Sequence, residues 1–301
     1  MEIYDLKTMQ QCSIDENTIV ALGTFDGCHT GHMTVLMNAF YEAKRMGLKS
    51  VVYTFDSIPK NKAKSIMTLD EKIKMIRKTG IDYIAIDSFS EVCEKSGGEF
   101  FSDILIKKLR AKGASCGFNY RFGKNAACDT EKLQEMFGKA GGSVVICKEI
   151  LYENQIVSST LIRNLISSGN VEGVLSVAPP YTVFAKVIYG KQLGRKLGIP
   201  TINQELPKEK ISLANGVYIT ECEIGEDVYP SITNVGVRPT VETNGAQNLE
   251  THIIGYDGNL YSSYIRVNFY KKIRNEQKFD SVYELKTQIS SDIEKAREYF
   301  K

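Results

Sequence analysis

The sequence predicts two domains of different class: an α/β domain on a parallel sheet over residues 1–180, then an all-β domain, a small antiparallel barrel or sandwich closed by a helix, over 181–301. Three observations carry this. Up to Pro179-Pro180, short β-branched runs alternate with longer helical patterns, as strands joined by crossover helices require. Beyond it, strand patterns follow one another with only turn signals between them. The 301 residues, 43% hydrophobic and 25% charged, suffice for two cores of an ordinary soluble protein.

In chain order, the first strand expected is "TIVALGTF" (18–25). A helix follows in which Met33, Leu36, Met37, Phe40 and Ala43 recur at helical spacing. Further strands are "SVVYTF" (50–55), "YIAID" (83–87), "ASCGF" (114–118) and "SVVICK" (143–148), and another helix fits "GGEFFSDILIKKLRAKG" (97–113). In the second half, strands are read at 181–190, 216–224, 229–236, 250–256 and 262–273, with turn signals "GED" (225–227) and "YDGN" (256–259). A last helix starts near Ser281. Ser281 and Glu284 form a capping-box pattern there, and Val282, Leu285, Ile289, Ile293 and Ala296 make one apolar stripe.

Several function classes are disfavoured. A formal charge of +2, with lysines dispersed among acidic residues, is no match for nucleic acid. No apolar run reaches the roughly 18 to 20 residues that cross a bilayer, and "MEIYDLKTMQ" has neither a basic leader nor an apolar core. Seven cysteines without a C-x-x-C pair read as reduced thiols, and a cytoplasmic protein is expected. Neither GxxxxGK[ST] nor GxGxxG occurs, so any nucleotide site is built another way.

The stretch "GTFDGCHTGH" (23–32) leaves the first strand and holds two of the chain's three histidines. In an open parallel sheet, ligands sit beyond the carboxyl ends of strands, where helix N-termini favour phosphate. Gly23 and Gly27 allow close backbone approach there, and His29 and His32, three apart around Gly31, share one face of the opening helical turn. Two imidazole N–H groups on one face suit the charge that develops on a transferring phosphoryl group. An H-x-x-H at a helix start also serves as a plain cap. Zinc held by Cys28, His29 and His32 lacks a fourth ligand nearby, His252 being the only other histidine. A second element, "VSSTLIRNLISSGN" (157–170), opens another helix with Ser158, Ser159, Thr160 and Arg163; either serine also fits as a cap.

Together these two segments resemble the G-x-F-D-G-x-H-x-G-H and I-S-S-T-x-I-R motifs of the adenylyltransferase half of bacterial bifunctional riboflavin kinase/FMN adenylyltransferases. The resemblance implies a Rossmann-like nucleotidyltransferase domain. ATP phosphates would be bound by Gly23, Thr24, Phe25, Gly27, His29, Gly31 and His32, and from the other side by Ser159, Thr160 and Arg163. It also implies in-line attack of the FMN phosphate on the α-phosphorus of ATP, with His29, His32 and Arg163 serving catalysis. "TFDSIPK" (54–60) keeps Asp56 and Pro59 of the family's T-F-D-P-H-P but carries Ser57 and Ile58, and "GFNYRFGKNAACD" (117–129) has Asn119 for an aspartate. Both departures fall on the flavin side, so a monofunctional riboflavin kinase with an impaired first half stands as the alternative.

In the second half, "GKQLGRKLGIPTIN" (190–203) is a basic glycine-rich loop: Gly190, Gly194 and Gly198 free the backbone to wrap a phosphate, and Lys191, Arg195 and Lys196 add charge. Thr201 and Asn203 alternate on one face of an extended segment and carry oxygens of the kind Mg²⁺ prefers. Glu250 and His252 share a face of "LETHIIGY", and a carboxylate there can take a proton from an attacking alcohol. With "TNVGVRPT" (233–240), these segments resemble the riboflavin kinase signatures G-R-x-L-G-F-P-T-A-N, N-x-G-x-R-P-T and E-T-H. That resemblance spans nearly all of 181–301 and implies a six-stranded Greek-key barrel. By it, Thr201 and Asn203 bind Mg²⁺ with ATP, Glu250 is the base for the ribityl 5′-hydroxyl, and the glycine loop with Arg195 covers the phosphates. Riboflavin, FMN and ATP are the expected partners, with FMN and FAD as substrates and products rather than redox cofactors. For flavin binding the resemblance points to Asp56, Asn119, Arg121 and Arg238.

Overall fold

The computed structural model describes residues 1–7, 14–57, 64–190, 194, 198–237 and 247–301. They divide into two compact units, Met1–Leu161 and Ile162–Lys301.

The first unit is built on six parallel strands: β1 (Glu2–Asp5), β2 (Thr18–Leu22), β3 (Lys49–Phe55), β4 (Tyr83–Asp87), β5 (Ala111–Gly117) and β6 (Ser143–Cys147), in the order β1-β4-β3-β2-β5-β6. The expected strands are all present. The edge strand β1 was not expected, because "EIYD" has no apolar run; pairing with β4 in the register Glu2 to Tyr83 makes it a strand. β2 is buried at all five positions, as a central strand covered on both faces must be. Helix α1 (Thr30–Met46) packs against β2, β3, β5 and β6, with Val35, Leu36, Ala39 and Ala43 buried. The predicted stripe is thus turned slightly, leaving Met33, Met37 and Phe40 half-buried at its rim.

Helix α2 (Leu69–Arg77) was not foreseen; Thr68 and Glu71 close a capping box at its start. The helix expected over 97–113 stops at Lys108 as α3 (Phe100–Lys108), wound with π spacing so that the Leu109 N–H reaches Ile104 O. Arg110 turns left-handed at φ 47°, and its carbonyl accepts from Thr18 N, so the chain passes directly into β5. Helix α4 (Thr130–Lys139), an unsupported hairpin of β7 (Leu151–Tyr152) and β8 (Gln155–Ile156), and helix α5 (Ser159–Ser168) follow.

In the second unit, β9 (Tyr181–Lys186), β10 (Ile202–Glu205), β11 (Gly216–Ile224), β12 (Asp227–Val237), β13 (Gln247–Ile253) and β14 (Tyr264–Arg274) form one antiparallel sheet in the order β10-β13-β12-β11-β14-β9. The run β14-β11-β12-β13 is a Greek key. The sheet curls until its edges meet: Ile188 bridges Asn203, and the Gln204 amide donates to Ala185 O at 2.7 Å and Ile265 O at 2.8 Å across the seam. Inside, the hydroxyls of Ser231, Thr220, Thr233 and Thr251 form a chain at 2.8–2.9 Å, which satisfies polar groups without water.

Helix α6 (Val171–Leu175) packs against β14. The last helix, α7 (Val282–Tyr299), covers the outer face of the sheet, where Ile219, Ile232, Ile254 and Ala296 pack with Ile273, Ile289 and Ile293. Two details correct the predicted start of α7. Ser281 Oγ accepts from Glu284 N at 3.1 Å, but the Glu284 carboxylate accepts from Asp280 N instead of returning to Ser281. Val282 is 64% exposed, so the stripe begins at Leu285.

A fully buried Asp292 anchors α7 by accepting from Arg274 Nε and Nη2, both at 2.9 Å, and from Gln288 Nε2. Asp292→Ala strands a largely buried guanidinium and is expected to destabilise this unit by about 3 kcal/mol. Glu294→Ala, which removes an exposed partner of Arg297, is expected to cost under about 0.5 kcal/mol. Urea unfolding of the full chain, read by the midpoint of the unit holding α7, checks the contrast.

Candidate active sites

Parallel pairing brings every strand's carboxyl end in the first unit to one edge. The chain runs from β2 to β3 and β4 on one side, then crosses back to β5 and β6 on the other, so the loops after β2 and β5 flank the crevice where the winding reverses. Residues 23–29 make the turn out of β2. Phe25 and Cys28, with φ of 51° and 41°, and Gly27 at 90° fold it tightly, and Phe25 and Cys28 are fully buried. Burial, helped by the Asp26 carboxylate and opposed by the Lys72 ammonium, pushes the Cys28 thiol up to about 12, which keeps it protonated at neutral pH.

His29 is the N-cap of α1. Its Nδ1 accepts from His32 N at 3.3 Å, which leaves the proton on Nε2. The two imidazoles lie parallel, with ring centres 3.7 Å apart and planes 20° apart, and Phe25 meets His32 edge-on at 5.4 Å. Any side chain at Gly31 would press on the His29 ring, 3.2 Å from its Cβ position. His29 is 5% exposed, and burial lowers its pKa to about 4. At neutral pH it is a fixed, uncharged N–H donor. The cap and the paired imidazoles, alternatives in the sequence, are therefore one feature.

The turn is held from three directions. The Asp26 carboxylate accepts from the N–H groups of Ile66 and Met67 at 2.9–3.2 Å. The Ser159 hydroxyl donates to Asp26 O at 2.7 Å, while Ser158 Oγ caps α5 by accepting from Leu161 N. The buried Lys72 ammonium on α2 donates to Thr24 O. Thus the "SST" segment meets the "GTFDG" turn, as its motif suggested. Thr160 is exposed on α5, and Arg163 follows it by three residues on the same helix.

On the side expected for flavin, Asp56 follows β3 and pairs with Lys7 at 2.9 Å. Burial pushes its carboxyl up, but the hydrogen bonds from Lys7 and Ser57 outweigh this and leave it below its ordinary value. Asn119 and Arg121 are exposed on the loop after β5, Arg121 lying 3.7 Å from Asp129. Ile58 and Pro59 lie outside the described residues, as do Lys191, Arg195, Lys196 and Arg238.

In the second unit, cross-strand register assembles the site. Asn203 of β10 lies opposite Glu250 of β13, and Glu250 opposite Asn234 of β12, so the three side chains form one row on the outer face. Thr201, just before β10, and His252, two residues beyond Glu250 on β13, line the same cavity. That cavity, of about 250 Å³, opens beneath α7, lined by Thr201, Asn234, Glu250, His252, Arg274 and Glu276 among others. His252 Nδ1 donates to Pro200 O at 2.8 Å, tying β13 to the Thr201–Asn203 segment, and burial lowers its pKa. Asn203 is buried and accepts from Asn248 Nδ2 at 3.5 Å; a Cβ on Gly190 would fall 2.3 Å from its amide, so only glycine lets the loop lie against it. Gly194 O accepts from Ile199 N, and Gly198 has φ 74°.

Sequence reasoning missed Asp26, Lys72, Asn234, Arg274 and Glu276. Lys72 left one sign, a cation between Leu69 and Ile76 on the apolar face of a short helix. Asp26 and Asn234 fall inside the quoted motif segments without being singled out, and Asn234, Arg274 and Glu276 are brought to the cavity by the packing of β12, β14 and the segment after it.

A parallel sheet with histidine donors at its switch point, followed by a closed barrel with an oxygen-rich face, defines a two-site phosphoryl- and nucleotidyl-transfer architecture. Family models place it further: the FAD synthetase model matches residues 11–161 and the riboflavin kinase model residues 177–300. A bifunctional riboflavin kinase/FMN adenylyltransferase of Buchnera aphidicola is 36% identical over 99% of this chain and 97% of its own. The Escherichia coli K12 protein of the same description is 33% identical over 95% and 93%. A solved Streptococcus pneumoniae chain described as a macrolide-efflux protein is 29% identical, with a TM-score of 0.88 over 98% of both chains. Among the described residues, no helix is long and apolar enough to cross a membrane. The chain belongs to the bifunctional riboflavin kinase/FMN adenylyltransferase family, and the monofunctional alternative finds no support in these matches.

His29 makes stability depend on pH with a definite sign. Its imidazole is harder to protonate folded (about 4) than unfolded (6.5), so its contribution is complete above pH 6.5 and is lost as pH falls toward 4. The loss is on the order of 3 kcal/mol. In urea unfolding at pH 7.5 and 4.5, His29→Asn should show a smaller pH difference than the unsubstituted protein; an equal difference would contradict a neutral, buried His29.

Proposed function

We propose that the half from 181 to 301 transfers the γ-phosphate of ATP to riboflavin, giving FMN and ADP, and that the half from 1 to 180 transfers AMP from ATP to FMN, giving FAD and pyrophosphate. The observation that carries this reading is the row Asn203–Glu250–Asn234, in which Glu250 and Asn234 line one cavity together with Thr201.

In the kinase half, Glu250 accepts the proton of the ribityl 5′-hydroxyl as that oxygen bonds to the γ-phosphorus and the bond to the ADP oxygen breaks. General base help of this kind contributes typically about 10² to 10⁴ in rate. Thr201 Oγ1 and the Asn203 side-chain oxygen are donors of the kind that suits Mg²⁺, and Gly190 lies so close to Asn203 that a Cβ there would meet its amide. Bound there, Mg²⁺ supplies charge neutralisation on the phosphates. His252 positions the pair through Pro200. By their resemblance to the riboflavin kinase motifs, Gly194, Arg195 and Gly198 are assigned to the nucleotide phosphates and Arg238 to the flavin.

In the adenylyltransferase half, an FMN phosphate oxygen bonds to the α-phosphorus as pyrophosphate leaves, with no covalent enzyme intermediate. His29 Nε2–H and His32 donate to the phosphate oxygens where charge builds. Gly23, Thr24, Phe25, Gly27 and Gly31 bring the main chain against the phosphates. Ser159, Thr160 and Arg163 complete the ATP side, and Asp56, Asn119 and Arg121 serve the flavin. A cytoplasmic location accompanies this reading, since both steps consume ATP and the described cysteines are free thiols.

Purified protein given riboflavin, ATP and Mg²⁺ should form FMN and then FAD, followed by flavin chromatography. Glu250→Gln should reduce FMN formation at least about 100-fold while FMN still becomes FAD. His29→Ala with His32→Ala should do the reverse. Loss of both reactions in either folded variant would overturn the assignment of one chemistry to each half.

A further inference from the structure

The Lys72 ammonium is 5% exposed and donates to three neutral oxygens: Thr24 O at 3.0 Å, Thr54 Oγ1 at 3.2 Å and Phe55 O at 2.9 Å. Thr54 Oγ1 in turn donates to Thr24 O at 3.1 Å, closing a ring of hydrogen bonds. Removing an ammonium from water for neutral partners is costly, and an apolar side chain of similar volume would fill the same space without that cost. Burial accordingly lowers the Lys72 pKa, while Asp26, Cys28 and Asp56 around it act in the opposite sense. Stability is therefore a poor account of a cation here.

Its acceptors belong to two segments that also meet through Gly23 N donating to Tyr53 O and Thr54 Oγ1 donating to Thr24 O, and the ammonium extends that tie to Phe55 O. Thr24 opens the turn that carries His29, and Phe55 ends β3 immediately before Asp56. Both carbonyls lie past or at the last residues of adjacent parallel strands, where the regular ladder stops. We propose that Lys72 is a positioning residue of the first site, its ammonium clamping the main chain at Thr24 and Phe55 so that the phosphate-side turn and the flavin-side strand end keep a fixed separation. This rests on the reading of that site as the adenylyltransferase. A group that sets the spacing of two reactants affects turnover more than binding, and displacements of about 1 Å cost on the order of 10²-fold.

The test compares Lys72→Met, Lys72→Arg and Thr54→Val in the full chain, measuring kcat and KM for FMN to FAD, with urea unfolding of the unit Met1–Leu161 as the control for folding and riboflavin to FMN as the control for the other unit. Lys72→Met should lower kcat for FAD formation about 10- to 100-fold, with KM for ATP and FMN within about threefold and riboflavin phosphorylation unchanged. Lys72→Arg should recover part of the loss. Thr54→Val, which removes one acceptor and no charge, should lower kcat about three- to tenfold, and it decides the matter if Lys72→Met does not fold. Wild-type kcat in Lys72→Met, or in Thr54→Val when the former is unfolded, overturns the clamp alone. Absence of FAD formation by the unsubstituted protein overturns the reading on which it rests, and the clamp with it.

Discussion

A main-chain polar group that leaves a sheet and stays buried must find another partner, and both candidate sites are built where this chain meets that demand. Past β2, the carbonyls of Thr24 and Asp26 accept from Lys72 and Ser159, and the N–H of His32 is taken by the His29 ring. At the barrel seam, Pro200 O accepts from His252, and the Gln204 amide donates to the carbonyls of Ala185 and Ile265. Side chains take over from the ladder in each place. Their polar atoms are thereby fixed in direction, which is what a site needs in order to receive charge without rearranging.

The two sites reach this state by different routes. In the first, parallel topology gathers loops at one edge, and a single seven-residue turn holds the imidazoles, with left-handed residues bearing the strain. Burial keeps His29 uncharged, so it acts by the direction of its N–H and not by charge. In the second, antiparallel register sets the groups in rows across three strands, and the rigidity comes from the sheet and from α7 laid over it. In the glycine-rich loop, Gly190 lets the main chain lie against Asn203 and Gly194 lets it lie against Ile199 O.

Local patterns were read well where the sequence had one dominant demand. The central strands, the apolar face of α1 and the alternating strands of the second half follow from hydrophobic period alone. Misreadings arose where a neighbour decided: β1 is a strand because β4 offers an edge, the helix before β5 stops because Thr18 claims Arg110 O, and Glu284 turns to Asp280 instead of Ser281. The motif residues of the sites were legible since glycine, histidine and hydroxyl spacing carries its own chemistry. Lys72, Asp26, Asn234 and Glu276 were not, because nothing local shows which oxygen a side chain will meet.

By itself, the sequence determined the two fold classes, the family and the residue types at both sites, because period, turn chemistry and motif spacing are properties of short segments. Only the tertiary structure decided that His29 is capped, neutral and stacked on His32, that Asn203, Glu250 and Asn234 stand in one row, and that Lys72 bridges two strand ends. Each of these joins residues distant in the chain or depends on burial. Distance across a sheet and loss of water are set by the packed fold, and no window of sequence contains them.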